Sequence, residues 1–228
     1  MSALGLLIVA SAAFVGTHFL LSHPLRTGLI ARLGERGFLL LYSLVAIATL
    51  FAMVRAYGPA VAEAPQPQWV AGEAWWIVAT LLMWAGSILF AGSLRRNPAF
   101  PTGHHAPYAN IGDARGVFAI TRHPMNWSFV VWAVVHAIVN AAPASLVVSG
   151  AIIFLAIGGS IGQDFKKRRL LGNVWREWQS RTAFLPFGKG FALPDSFAVL
   201  VGTIFFLLAT AAHGLLGNQP AGIFHWFA

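Results

Sequence analysis

Six apolar stretches dominate this chain: Ala3 to Leu21, Phe38 to Tyr57, Ala74 to Leu94, Asn126 to Ala142, Ala144 to Gly162 and Ser196 to Leu216. Each reaches or approaches the roughly 20 residues that a helix needs to cross the hydrocarbon core of a bilayer. Backbone N–H and C=O groups find no water there, so a spanning segment of this kind has to satisfy them within its own helix. Only 10% of the 228 residues are charged and 57% are hydrophobic, against about 25% charged in ordinary soluble domains. The expected fold is therefore all-α. It is a polytopic transmembrane helical bundle of about six spans, one domain over residues 1–228, with N and C termini outside. Pro143 alone separates the fourth stretch from the fifth, which predicts a tight helical hairpin.

The segments between the stretches set the orientation. Arg26, Arg32 and Arg36 fall in the first loop, Arg95, Arg96, Arg115 and Arg122 in the third, and Lys166, Lys167, Arg168, Arg169, Arg176, Arg181 and Lys189 in the fifth. Fourteen of the fifteen Lys and Arg residues thus share one side, and Arg55 is the exception. Such asymmetry marks the cytoplasmic side. The net charge of +8 sits beside the spans, where it meets anionic lipid headgroups, so no nucleic-acid partner is expected. The absence of cysteine excludes disulfides, iron–sulfur clusters and thiolate-ligated metal or haem.

Two further segments carry pattern. Leu170, Leu171, Val174, Trp175 and Trp178 fall on one helical face, with Lys166, Lys167, Arg169 and Arg176 opposite. The spacing predicts either a basic amphipathic helix in the cytoplasmic interface or an extension of the fifth span. The C-terminal tail, Gly222-Ile-Phe-His-Trp-Phe-Ala, reads as an aromatic anchor at the outer interface.

Polar residues inside spans are costly and often functional. His18, His136 and His213 lie in the first, fourth and sixth stretches, with no Asp or Glu inside any span to pair with them. That set disfavours a proton pump and suits a metal or haem, because neutral imidazole is a common ligand. The alternative for each is a helix-to-helix hydrogen bond. By helix rise, His136 lies about 15 Å in from the start of its span, whereas His18 lies near the cytoplasmic end of the first. His104 and His105 stand in a Gly/Pro-rich loop and are expected in solvent. Thr121-Arg122-His123-Pro124 closes the third loop. Pro124 suits a first helical turn, and Arg122 with His123 forms either an anion-binding pair or a basic anchor. His123 and His136 are about 220° apart around a helix and do not face one site.

Three blocks carry a family resemblance. Phe14-Val-Gly-Thr-His18-Phe-Leu-Leu-Ser-His-Pro-Leu-Arg26 with Leu33-Gly-Glu-Arg36-Gly-Phe resembles the start of the NnrU family. Gly116-Val-Phe-Ala-Ile-Thr-Arg-His-Pro-Met-Asn-Trp127 and Val131-Trp-Ala-Val-Val-His136 resemble its central block, and Asp164, Lys167, Arg168, Trp175 and Pro186-Phe187 its C-terminal block. The resemblance covers mainly residues 1–190 and leaves out the last span, 196–216. It implies a protein of the bacterial inner membrane linked to nitrogen-oxide metabolism and denitrification, or to cis–trans isomerisation of a polyene. The family includes the haem b protein 15-cis-zeta-carotene isomerase, whose two iron-ligating histidines match His18 and His136. That isomerase branch has a cysteine one turn before the second histidine, where this chain has Ala133.

The Arg122-His123-Pro124 motif with Asp164, Leu171, Gly172, Trp175 and Trp178 is also similar to isoprenylcysteine carboxyl methyltransferases. Asp164 stands where those enzymes have Glu, and Trp175 and Trp178 replace a Tyr pair. Three expectations follow. The first is a haem b protein with His18 and His136 on the iron and a hydrophobic small-molecule substrate. The second is a membrane methyltransferase with S-adenosylmethionine near Arg122, His123 and Asp164. The third is a non-enzymatic assembly factor with a respiratory membrane partner.

Overall fold

The computed structural model describes residues 1–98, 111–217 and 220–227. His104 and His105 lie outside the described residues. Among those described, the order is α1 (Ala3–Ser22), α2 (Arg26–Glu63), α3 (Glu73–Ser93), α4 (Val117–Ile120), α5 (Pro124–Val139), α6 (Pro143–Leu171), α7 (Asn173–Arg181) and α8 (Ser196–Gly217), then a 3₁₀ turn (Gly222–Phe227), with no strand. α1, α2, α3, α6 and α8 are long and apolar enough to cross a membrane. The 16-residue α5 is shorter, about 24 Å at 1.5 Å per residue against a hydrocarbon core of about 30 Å. The expected count of six spans thus becomes five long helices and one short one.

The lipid-facing character is direct. In α2 the most apolar window has a mean hydropathy of 2.3, yet only 11% of it is buried. Leu40, Leu44, Ile47, Phe51 and Val54 point outward. In water such a contiguous apolar face would be an aggregation site, whereas in a bilayer it is solvated. The chain is an all-α polytopic membrane protein.

Contacts divide it into two compact units, Met1–Ala71 with His136–Gly159, and Gly72–Val135 with Ser160–Ala228. In the first, α1 and α2 pair along their length, with Leu7, Phe14 and Val15 packed against Met53, Ala56 and Ala60, and Ala144 of α6 completing the core. Small residues let the backbones approach, which is how helices bind one another where lipid removes the hydrophobic driving force. The Ser2 hydroxyl caps α1 by accepting from Gly5 N at 3.0 Å, and Ala3 N donates to Glu63 at the far end of α2. The connector after α2 is tied to the α5–α6 turn, since Gln68 N donates to Ala141 O at 3.0 Å and Trp69 Nε1 to Ile138 O at 2.9 Å.

The first loop is not a loop over most of its length. Helix starts at Arg26 and is broken at Gly34, whose φ of 70° and ψ of 171° are open only to glycine at low cost.

In the second unit, α3 packs on α8. A Cβ on Gly202 of α8 would fall 2.5 Å from the Ile88 backbone, and one on Gly92 of α3 within 2.9 Å of both Val117 and Ala198. The core joins Ile88, Leu89, Val117, Phe118, Ile120, Trp175, Trp178 and Ala198. Of the two expectations for this segment, the extension of the fifth span holds as far as Leu171, where α6 ends, and the interfacial helix is corrected. Gly172, with φ 56°, ends one helix and turns the chain into the next, so residues 170–178 do not form one continuous face. Trp175 and Trp178 are 0% and 2% exposed and pack in protein rather than lipid. The tail also docks on protein: His225 stacks on Trp76 at 4.1 Å, and Trp226 Nε1 donates to Glu73 at 3.2 Å.

Candidate functional site

In the first unit, half-buried His18 projects from α1 between two aromatic rings. The Phe14 centroid is 4.4 Å away and the Tyr42 centroid 5.5 Å, both edge-on. His18 Nδ1 lies 2.7 Å from Phe14 O, one turn back. A nitrogen facing a carbonyl carries the proton, so a neutral His18 presents the lone pair on Nε2. Metal-binding histidines are oriented in this way, the second nitrogen donating to a carbonyl or carboxylate. Ser22 Oγ donates to His18 O at 2.6 Å, satisfying a carbonyl near the end of the helix. His213 makes the same bond, Nδ1 to Ala209 O at 2.7 Å, from an exposed position in the second unit.

His136 ends α5 inside the same unit as His18. Its carbonyl accepts from Asn140 N at 2.9 Å and lies 3.5 Å from Ser145 Oγ. Asn140 Nδ2 is 3.5 Å from the Tyr57 hydroxyl. Tyr42, beside His18, and Tyr57, beside Asn140, stand fifteen residues apart on α2, about 22 Å of helix. His136 is one turn, about 5 Å, from Asn140. The two histidines thus share a unit but stand at levels roughly 17 Å apart. Two imidazoles on one metal bring their nitrogens to about 2 Å from it. His18 could hold a metal through Nε2, and by helix rise His136 lies at a different level of the same unit. Among the described residues no three His, Asp or Glu side chains cluster as a metal site.

In the second unit the Thr121-Arg122-His123-Pro124 motif folds into a closed polar knot. Thr121 is extended and runs beside residues 182–184: Arg122 N donates to Ala183 O at 2.8 Å and the Thr121 hydroxyl to Phe184 O at 2.7 Å. Trp127 Nε1 reaches the same Phe184 carbonyl at 2.8 Å. The Arg122 guanidinium donates to Asp164 through Nε (2.9 Å) and Nη2 (2.7 Å), and to Thr182 O through Nη1 (3.2 Å). Three of its five N–H donors thus meet internal acceptors. Trp175 Nε1 adds a bond to Asp164 Oδ1 at 3.3 Å.

His123 is buried, with Nδ1 3.2 Å from Gln163 Oε1. Its Nε2 is 3.2 Å from Asp164 Oδ1 but is not aligned for a hydrogen bond. The structure therefore brings together Arg122, His123 and Asp164, and turns them on one another. Sequence reasoning marked these three residues but not Thr182 or Phe184, whose carbonyls complete the knot and carry no side-chain signal. It also gave no sign of Tyr42 beside His18, a contact made by helix packing.

No curated protein and no solved structure matches this chain. A family model described as "NnrU protein" matches residues 6–220. That range reaches through the last span, beyond the 1–190 expected from the motifs. With nearly its whole length matched, the chain belongs to the NnrU family.

Proposed function

We propose that this NnrU-family protein is a multi-pass haem b protein of the bacterial inner membrane. Its arginine-rich segments face the cytoplasm, and it serves nitrogen-oxide metabolism or the isomerisation of a conjugated hydrocarbon. The orientation is supported by the one-sided distribution of Lys and Arg. The haem reading is carried by one observation: His18, half-buried between Phe14 and Tyr42, has Nδ1 tied to the Phe14 carbonyl. His18 would hold the group through Nε2. When bound, a haem iron supplies one-electron chemistry and a coordination position for a small molecule or a conjugated double bond.

The residues of this unit do the rest. The Phe14 carbonyl fixes the His18 ring, and Phe14 and Tyr42 wall it from water. His136 is the second ligand only in a form that draws it toward His18. The S-adenosylmethionine reading is less well supported, because Asp164 is taken up by the Arg122 guanidinium and the Trp175 N–H. The assembly-factor reading predicts a stable respiratory partner and no cofactor.

The test is the absorption spectrum of the purified protein in mild detergent, oxidised and then reduced with dithionite. A Soret band that is lost in His18→Ala and kept in His213→Ala is expected. Loss in His136→Ala as well would establish ligation by both histidines. A featureless spectrum after expression with added haem, or full haem retention by His18→Ala, would refute the assignment.

A further inference from the structure

Between α7 and α8 of the second unit, residues 182–195 lie outside any helix. Four large apolar side chains there stand in the open: Leu185 (59% exposed), Phe187 (49%), Phe191 (82%) and Leu193 (70%). The Phe187 and Phe191 rings stack at 5.9 Å with 10° between their planes, so they form one apolar surface. A contiguous exposed patch of this kind marks an interaction site.

The backbone beneath the patch is pinned. Ala183 O accepts from Arg122 N, Phe184 O from the Thr121 hydroxyl, and Phe187 N donates to Ile120 O at 2.9 Å. Phe187 is held at φ 60°, an outlier for a bulky residue that persists only where its surroundings over-determine it. Ala192 packs against the core of the unit, while its neighbours Phe191 and Leu193 face out. The segment is thus built to present these side chains, not to fold over them.

What covers them follows from where the segment ends. Ser196 opens α8, a helix apolar enough to cross a membrane, whose exposed Phe197, Leu200, Ile204 and Leu208 meet lipid. Leu193 is three residues from Ser196, at most about 11 Å of chain, and Phe191 is five residues from it, at most about 18 Å. The patch therefore runs on from the lipid-facing surface of α8. Charge marks the same boundary. The Arg95 guanidinium rests on the ring of Phe197, in the first turn of α8, at 5.1 Å, as a cation snorkelling to the headgroups would. Lys189 falls between the stacked phenylalanines in sequence and is exposed; its only printed bond is to a carbonyl, Ser180 O, so its charge is open to anionic headgroups. Asp195, the acid of the segment, is engaged in capping α8 through Ala198 N at 2.8 Å.

We propose that residues 185–193 are a membrane-inserting wedge. Leu185, Phe187, Phe191 and Leu193 enter the acyl boundary of the leaflet where α8 begins, and Lys189 stays with the headgroup phosphates. The proposal is independent of the haem reading, since it concerns the other unit and other residues.

The absence of native cysteine makes single-site labelling clean. Leu185→Cys, Phe191→Cys and Leu193→Cys, each carrying a nitroxide, are reconstituted as the full chain in vesicles of phosphatidylcholine and phosphatidylglycerol. Electron paramagnetic resonance power saturation then reads collision with oxygen, which concentrates in the acyl region, against collision with a water-soluble nickel chelate. Ile204→Cys, on the exposed face of α8, is the lipid reference, and Glu177→Cys, exposed on α7, the water reference. The oxygen-to-nickel ratio at 191 and 193 is expected to be several-fold above that at 177 and to approach that at 204, with 185 following the same trend. Ratios at 191 and 193 equal to that at 177 would place the patch in water and overturn the proposal. Low collision rates with both reagents would mean burial against protein, a second copy included, and would overturn it too. All three substituted side chains are exposed, so the core is left intact, and any one label that disturbs the segment leaves two others to decide.

Discussion

The Arg122–Asp164 pair permits a stability prediction worked from geometry. The side chains are 11% and 7% exposed, so solvent screens them little. Replacing one partner leaves the other charged in a poorly solvated site, at a cost of about 3–5 kcal/mol. Arg122→Met and Asp164→Leu should each lose that amount. The double variant removes both charges. It forgoes chiefly the Arg122 bond to Thr182 O and the Trp175 bond to Asp164, at about 1 kcal/mol each. The two single losses therefore sum to at least about 6 kcal/mol while the double costs about 2, a coupling of roughly 4 kcal/mol. Arg122→Lys should recover little, because one ammonium cannot replace three donors in a planar fork.

The assay is reversible unfolding in mixed micelles with increasing dodecyl sulfate, followed by far-ultraviolet circular dichroism. Singles within about 1 kcal/mol of wild type, or a double equal to their sum within about 0.5 kcal/mol, would refute the view that this knot is a buried, mutually dependent pair.

Other outcomes are open to the same assay. Gly202→Ala should cost about 1–3 kcal/mol, because its new Cβ falls 2.5 Å from the Ile88 backbone and pushes α3 from α8. Gly150→Ala, on α6 with nothing within 4 Å, should instead stabilise by up to about 1 kcal/mol through helix propensity; a loss there would contradict its open surroundings. Ser11 and Ser149 bury hydroxyls without a partner, so Ser11→Ala and Ser149→Ala should be neutral or stabilising by about 1 kcal/mol. A clear destabilisation in either would mean that the hydroxyl has a partner in the membrane-embedded protein.

The helices that cross the membrane were legible because length and apolarity are the only requirements for a span, and Ala3–Ser22 and Ser196–Gly217 match their stretches closely. Breaks inside helices were not. Gly34 and Gly172 carry positive φ, but glycine occurs at many ordinary helical positions in this chain, so the residue type alone does not mark them. The period of residues 170–178 leaves an interfacial helix and an extension of the fifth span both open, because it reports that a face is buried, not what buries it. Trp175 and Trp178 face a protein core. Arg122 and Asp164 were both recognised as residues, and only the methyltransferase likeness set them near each other. Their bond closes across 42 positions of sequence, a relation that periodicity does not reach.

The second unit contains two arginine-rich sites that composition would treat alike, and donor accounting separates them. At Arg122 three of the five guanidinium N–H donors, one each on Nε, Nη1 and Nη2, meet acceptors within the protein. That site holds residues 121–122 to residues 182–184, and beside it the buried His123 Nε2 makes no hydrogen bond. At Arg95 and Arg96 the guanidinium groups are exposed, and that of Arg95 rests on the Phe197 ring. The motif that draws attention in the sequence is thus the one folded into internal bonds, a relation that only a structure reveals. The same logic applies at His18. What commends it over His213 is not the shared Nδ1 bond but its setting, half-buried between two rings rather than exposed.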